Sequence, residues 1–141
     1  MKILPRNDRI IFIAAGILLL SIILMIVIIP GVLNDSSPNA NPKRAVGGIQ
    51  FFIIIHLFFF LVYARIIWQN RRTIRKSKEE YVGIGILLIV LGLINLSGAF
   101  AFLSHDDILY VSILMFTSTL CDLVTGILTI IAFFLKPQKV D

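Results

Sequence analysis

Cysteine is nearly absent from this chain. The single Cys121 excludes a disulfide within the chain and any Cys-based cluster or zinc site, and it leaves the redox compartment open. Charge is scarce as well: 15% of residues are Asp, Glu, Lys or Arg, where soluble domains carry about 25%. The motifs of common chemistries are also missing. No Cys-x-x-Cys pair, no phosphate-cradling glycine loop after a strand and no nucleophile elbow occurs. The first apolar run contains no charge, which argues against a small proton-coupled exporter built around a first-span Glu. Nor is there an internal repeat.

What fills the chain is apolar. Hydrophobic residues make up 58% of it, and the mean hydropathy is +0.97, so the relevant solvent is lipid. Four runs are long enough to cross a bilayer, at about residues 10–30, 49–68, 81–103 and 108–135. The first follows Lys2, Arg6 and Arg9, as a secretory signal would. Signal h-regions, however, run about 7–15 residues and end in a small-residue cleavage site. Here the run holds 21 residues and ends at Ile28-Ile29-Pro30, so it reads as a retained span, with Pro30-Gly31 as its stop. It is greasy on all faces and should be the most lipid-exposed helix. Gly31 to Gly48 reads as a turn-rich connector with Ser37-Pro38 and Asn41-Pro42. It includes Asn34-Asp35-Ser36, which fits the glycosylation acceptor pattern. The second span is dense in Phe, with Tyr63 and Trp68 as interfacial rings and Arg65 placed to snorkel. Ser77 and Glu80 have capping-box spacing for the third span, and Tyr110 is an interfacial ring of the fourth. The expected fold is therefore all-α, one four-span transmembrane domain over 1–141.

The only strongly charged run, Gln69 to Glu80, lies between two apolar spans. Arg65, Arg71, Arg72, Arg75, Lys76 and Lys78 crowd into or against it. A basic chain of net charge +5 could suggest nucleic acid, but these cations sit at span ends rather than on one soluble face. They set topology and meet lipid head groups. With the two termini, this side carries eleven Lys and Arg, against Lys43 and Arg44 on the other. The positive-inside rule then places both termini in the cytoplasm of a multi-pass protein of the cell (plasma or inner) membrane.

Polar groups inside the spans are the candidate site. Asp122 lies near the midplane of the last span, where a carboxylate costs about 2.5–3.5 kcal/mol and must face protein or water. Ser118, Asp122, Thr125 and Thr129 recur at helical spacing, with Thr119 and Gly126 adjoining. This stripe can be a packing seam or a proton- or cation-handling site. His56 and Asn95 lie at comparable depth, within roughly 5 Å by helical rise. A lone intramembrane His more often bonds a neighbouring helix than a ligand. A haem held within the chain would need a second axial side chain, and no cofactor is expected beyond bound lipids. His105, Asp106 and Asp107 could ligate a metal on the outer side, but the acids are explained by a helix start. Gly85, Gly92, Asn95 and Ala99 form a small-residue face on the third span, suited to close helix contact.

By subtraction, the sequence points to a small accessory or structural subunit of a larger integral-membrane complex, with a respiratory or other oxidoreductase assembly among the candidates. It would pack on other membrane subunits through its third and fourth spans and would not be catalytic alone. The alternative is a small oligomeric proton- or cation-coupled transporter or channel using Asp122.

Overall fold

The structure is a computed structural model and describes residues 6–36, 41–71, 79–103 and 109–135. It is all-helical, with α1 over Arg6–Leu33, α2 over Pro42–Arg71, α3 over Glu79–Phe102 and α4 over Leu109–Phe134. All four are long and apolar enough to cross a membrane. At 1.5 Å per residue the shortest, α3 with 24 residues, is about 36 Å long, enough for a roughly 30 Å hydrocarbon core. Helices answer the demand of that solvent, since every backbone polar group must be paired within the segment. Arg72, Arg75, Lys76, Ser77 and Lys78 lie outside the described residues, as does the His105–Asp107 triplet.

Two boundaries differ from expectation. Pro30 does not stop α1, which continues to Leu33. The ring removes one backbone bond near the helix end, a loss membrane helices tolerate when neighbours pack there. The neighbour is α4: a Cβ on Gly31 would run into the Tyr110 ring and Val111. At the other end of the connector, Asn41-Pro42 is a helix start rather than a turn. The Arg44 amide donates to Asn41 Oδ1 at 3.1 Å, and the Ala45 amide donates to the Asn41 carbonyl at 3.0 Å. That is an Asn N-cap with Pro at the first helical position, where its missing N–H is no loss. Hence α2 begins seven residues earlier than the expected span, at Pro42 rather than 49.

Helix α4 is flanked by α1 and α3, and α1 also packs on α2. The small-residue face of α3 turns onto α4. A Cβ on Gly126 would lie 2.7 Å from the Gly85 carbonyl oxygen, and one on Gly85 would lie 2.8 Å from the Gly126 carbonyl oxygen. A Cβ on Gly92 would come to 3.2 Å from Asp122 Cβ. Ala99 is buried on the same face, and its carbonyl, an orphan of the helix end, accepts from Ser112 Oγ at 2.9 Å. The expectation that α1 would be the most lipid-exposed helix is wrong. Of the most apolar stretch of each helix, 39% is buried in α1 but only 17% in α2. A helix greasy all round gives no sign of its packed face; in α1 that face is Ile11, Ala14, Leu18, Ser21, Met25 and Ile28. Tyr63 is also not an interfacial ring: it is fully buried.

Two apolar clusters fill the bundle, one toward each end. The first joins Leu18, Phe59, Tyr63, Ile66 and Leu88; the second joins Met25, Ile28, Ile49, Ala99 and Met115. Ser21, His56, Asn95, Ser118 and Asp122 fall between the positions used by these clusters along their helices.

Candidate functional site

That intermediate layer draws one side chain or more from each helix: Ser21, His56, Asn95, and Ser118 with Asp122. All five are buried, and all but Asn95 completely. An isolated charge at this depth is costly, so pairing and hydrogen bonding must compensate. Helix α4 supplies the centre because its Asp and hydroxyl residues share the face turned to α1 and α2.

The geometry fixes most of the hydrogens. His56 Nδ1 lies 2.7 Å from the Phe52 carbonyl oxygen, one turn earlier in α2. A carbonyl only accepts, so Nδ1 carries the hydrogen and the ring is pinned. His56 Nε2 then faces Asp122 Oδ1 at 2.9 Å. A bare Nε2 lone pair against a carboxylate oxygen would repel. One proton therefore lies between them, as an imidazolium–carboxylate pair or as a neutral carboxylic acid donating to a neutral imidazole. Either way the couple has no net charge. Ser21 Oγ donates its hydrogen to the same Oδ1 at 2.8 Å. With that hydrogen used, Ser118 Oγ is the donor in its 2.7 Å contact with Ser21 Oγ. Asn95 Nδ2 completes the chain with a longer bond to Ser118 Oγ at 3.4 Å. The order is Asn95, Ser118, Ser21, Asp122, His56 and the Phe52 carbonyl.

The Asp122–His56 contact anticipated from depth is thus direct, while Asn95 reaches the carboxylate only through two serines. Thr125 does not join this chain: its hydroxyl donates to the Cys121 carbonyl at 2.7 Å. Thr129 donates to the Thr125 carbonyl at 2.7 Å, so Tyr63 is the donor in its hydrogen bond to Thr129 Oγ1. Two members were not foreseen from sequence. Ser21 had a signal, being the only side chain between Ile10 and Pro30 with a hydroxyl. Tyr63 had none, since its position near a span end fits the interface equally well. Gly126, adjoining the stripe, faces α3 instead.

Two buried oxygens in this region have no hydrogen-bond partner among the described residues, Asp122 Oδ2 and Thr119 Oγ1. Among the described residues no three His, Cys, Asp or Glu side chains converge as metal ligands would. No protein-family model matches the chain, and neither a curated protein nor a solved structure matches it significantly.

Proposed function

We propose that the chain is a small accessory subunit of a larger integral-membrane assembly, held in the cell membrane with both termini in the cytoplasm. The supporting observation is how unevenly the bundle covers its own helices. The glycine face of α3 and the polar stripe of α4, which the sequence offers to partners, are used within the chain. Of the faces left uncovered, the outer side of α2 is the broadest: 17% of its most apolar stretch is buried, against 33–39% in the other three helices. Phe51, Ile54, Phe58, Leu61, Arg65 and Trp68 are all exposed there, at alternating spacings of three and four. That is the spacing of a seam between two helices. A membrane helix of another subunit laid along it would bury the least covered helix of the four. The polar layer then serves as an internal lock that sets the rotation of each helix and keeps this face turned outward.

Extraction in a mild detergent should recover the chain in a high-mass particle. Replacing Phe51, Phe58 and Leu61 together by Ala should release it while leaving its helicity unchanged. A lone monodisperse wild-type monomer would contradict the proposal. The orientation rests on the cation count and is tested by labelling. An impermeant maleimide applied from outside should reach Ser104→Cys and miss Ser77→Cys. The native Cys121 is buried and gives little background.

A further inference from the structure

The polar layer contains a feature that a purely structural lock does not need. Serine and threonine pairs would hold four helices together without a carboxylate at the membrane midplane, where each such group is costly. We propose that His56 and Asp122 form an intramembrane proton-binding site that exchanges one proton with the side of the membrane on which α2 and α4 end.

The proton inventory supports this. The Nδ1 hydrogen is fixed on the Phe52 carbonyl, so it is not the exchanging one. The proton between Nε2 and Oδ1 can sit on either atom without changing the net charge of the couple. Uptake forms an N–H bond at Nε2 or an O–H bond at the carboxyl. Release leaves a lone pair facing a carboxylate. Among the described residues no other charged group pairs with the site. Helix α1 contributes Ser21 and α3 contributes Asn95, neither of which titrates in this range. The titratable neighbours are Cys121, adjacent in α4, and Tyr63, seven residues along α2. Arg65 is nine residues along α2 and exposed. Asp122 Oδ2, buried and unpartnered, is the open valence through which a proton arrives.

The hydroxyls beyond the layer are unevenly placed. Toward the start of α4, past Ser118 and Thr119, come Met115 and Ser112, whose hydroxyl is held by the Ala99 carbonyl. Toward its end lie three hydroxyls: Thr125 and Thr129 are held by the Cys121 and Thr125 carbonyls, while Tyr63 donates to the Thr129 side chain, so the proposed exchange runs to that side.

The chain has two histidines, His56 and His105, so His105→Gln leaves His56 as the sole reporter in histidine nitrogen-15 spectra. In lipid nanodiscs, across the pH range in which the fold is kept, the His56 Nε2 resonance should move while Nδ1 stays protonated. Asp122→Asn should abolish that movement. The Asn side chain can keep the fold, because its amide nitrogen has two hydrogens, one for Nε2 and one for Ser21 Oγ. Tyr63→Phe should slow exchange of the couple's proton with deuterated solvent roughly tenfold or more, the effect of about 1.4 kcal/mol on a barrier. A wild-type Nε2 resonance that never moves would overturn the site, and this reading needs no variant that might misfold. An unchanged exchange rate in Tyr63→Phe would overturn the access route.

Discussion

Gly126→Ala adds a single methyl, and the structure says where it goes. The new carbon would lie 2.7 Å from the Gly85 carbonyl oxygen, 2.8 Å from Ile89 Cγ1 and 3.2 Å from the Ile89 amide nitrogen. Unstrained carbon–oxygen contacts begin at about 3.3 Å, so the overlap is roughly 0.6 Å. Two of the three obstructing atoms belong to the backbone of α3 and cannot rotate away. The helices must part, and parting loosens the Gly92 contact on Asp122 in the same interface. Overpacking of this kind costs about 1–3 kcal/mol. Gly83→Ala is the control: no atom lies within 4 Å of its added Cβ, and Ala gains about 0.5–1 kcal/mol over Gly in a helix. That gain is common to both helical positions and cancels, so the two variants should differ by the overpacking cost, about 1–3 kcal/mol, between roughly fivefold and roughly 150-fold in the folding equilibrium. Unfolding in mixed micelles of rising SDS fraction, followed by circular dichroism, measures the difference. The buried Cys121 thiol reports separation of α4 through its labelling rate. Adding Gly85→Ala to Gly126→Ala should be less than additive, because one separation relieves both clashes. Equal stability of Gly126→Ala and Gly83→Ala would mean that α3 and α4 do not meet at these glycines.

Three further outcomes are expected. Asp122→Leu should lower stability by about 1–3 kcal/mol in the same titration, since it strands the buried His56 and Ser21 groups, whereas Asp122→Asn should stay within about 1 kcal/mol of wild type. Tyr63→Phe keeps the ring and removes only its donated bond, so its loss should lie near the average of about 0.6 kcal/mol for hydrogen bonds between membrane helices. Asn41→Ala should cost about 1 kcal/mol and speed hydrogen exchange at the Arg44 amide, which Asn41 Oδ1 accepts from, while the amides around His56 keep their protection.

The spans were legible because about 20 apolar residues have one stable outcome in lipid, and none of the four was missed. The site was legible in part for a related reason. A carboxylate and an imidazole at comparable depth are expensive alone and cheap together, so depth predicted that they could meet. Depth could not show that Ser21 would donate to the same carboxylate oxygen, because the rotation of an all-apolar helix is not written in its hydropathy. The same blindness made α1 look lipid-facing when Ala14, Leu18 and Ser21 are fully buried. Asn41-Pro42 misled for another reason: the dipeptide starts turns and helices alike, and only the amide bonded to Asn41 Oδ1 distinguishes them. Tyr63 shows the limit of the aromatic-belt rule, since a Thr at the matching depth on α4 offers its hydroxyl a partner inside the bundle.

Rotation is also what connects the buried layer to the outer surface. Apolar helices in lipid have little hydrophobic reason to prefer one face over another, because lipid tails are as apolar as leucine. In α1, Ser21 is the side chain whose hydrogen bond to the carboxylate has no substitute in lipid, and turning the helix away would break it. In α2, His56 does the same from a position that leaves Phe51, Ile54, Phe58 and Leu61 on the far side. His56 thus acts on the outer seam without touching it. Loss of the His56–Asp122 contact would leave the Tyr63–Thr129 hydrogen bond as the polar side-chain tie from α2 to α4 among the described residues, so the outer face of α2 would be held less firmly in direction. If a partner helix lies on that face, as proposed, its binding should respond to the state of a couple buried across the helix from it.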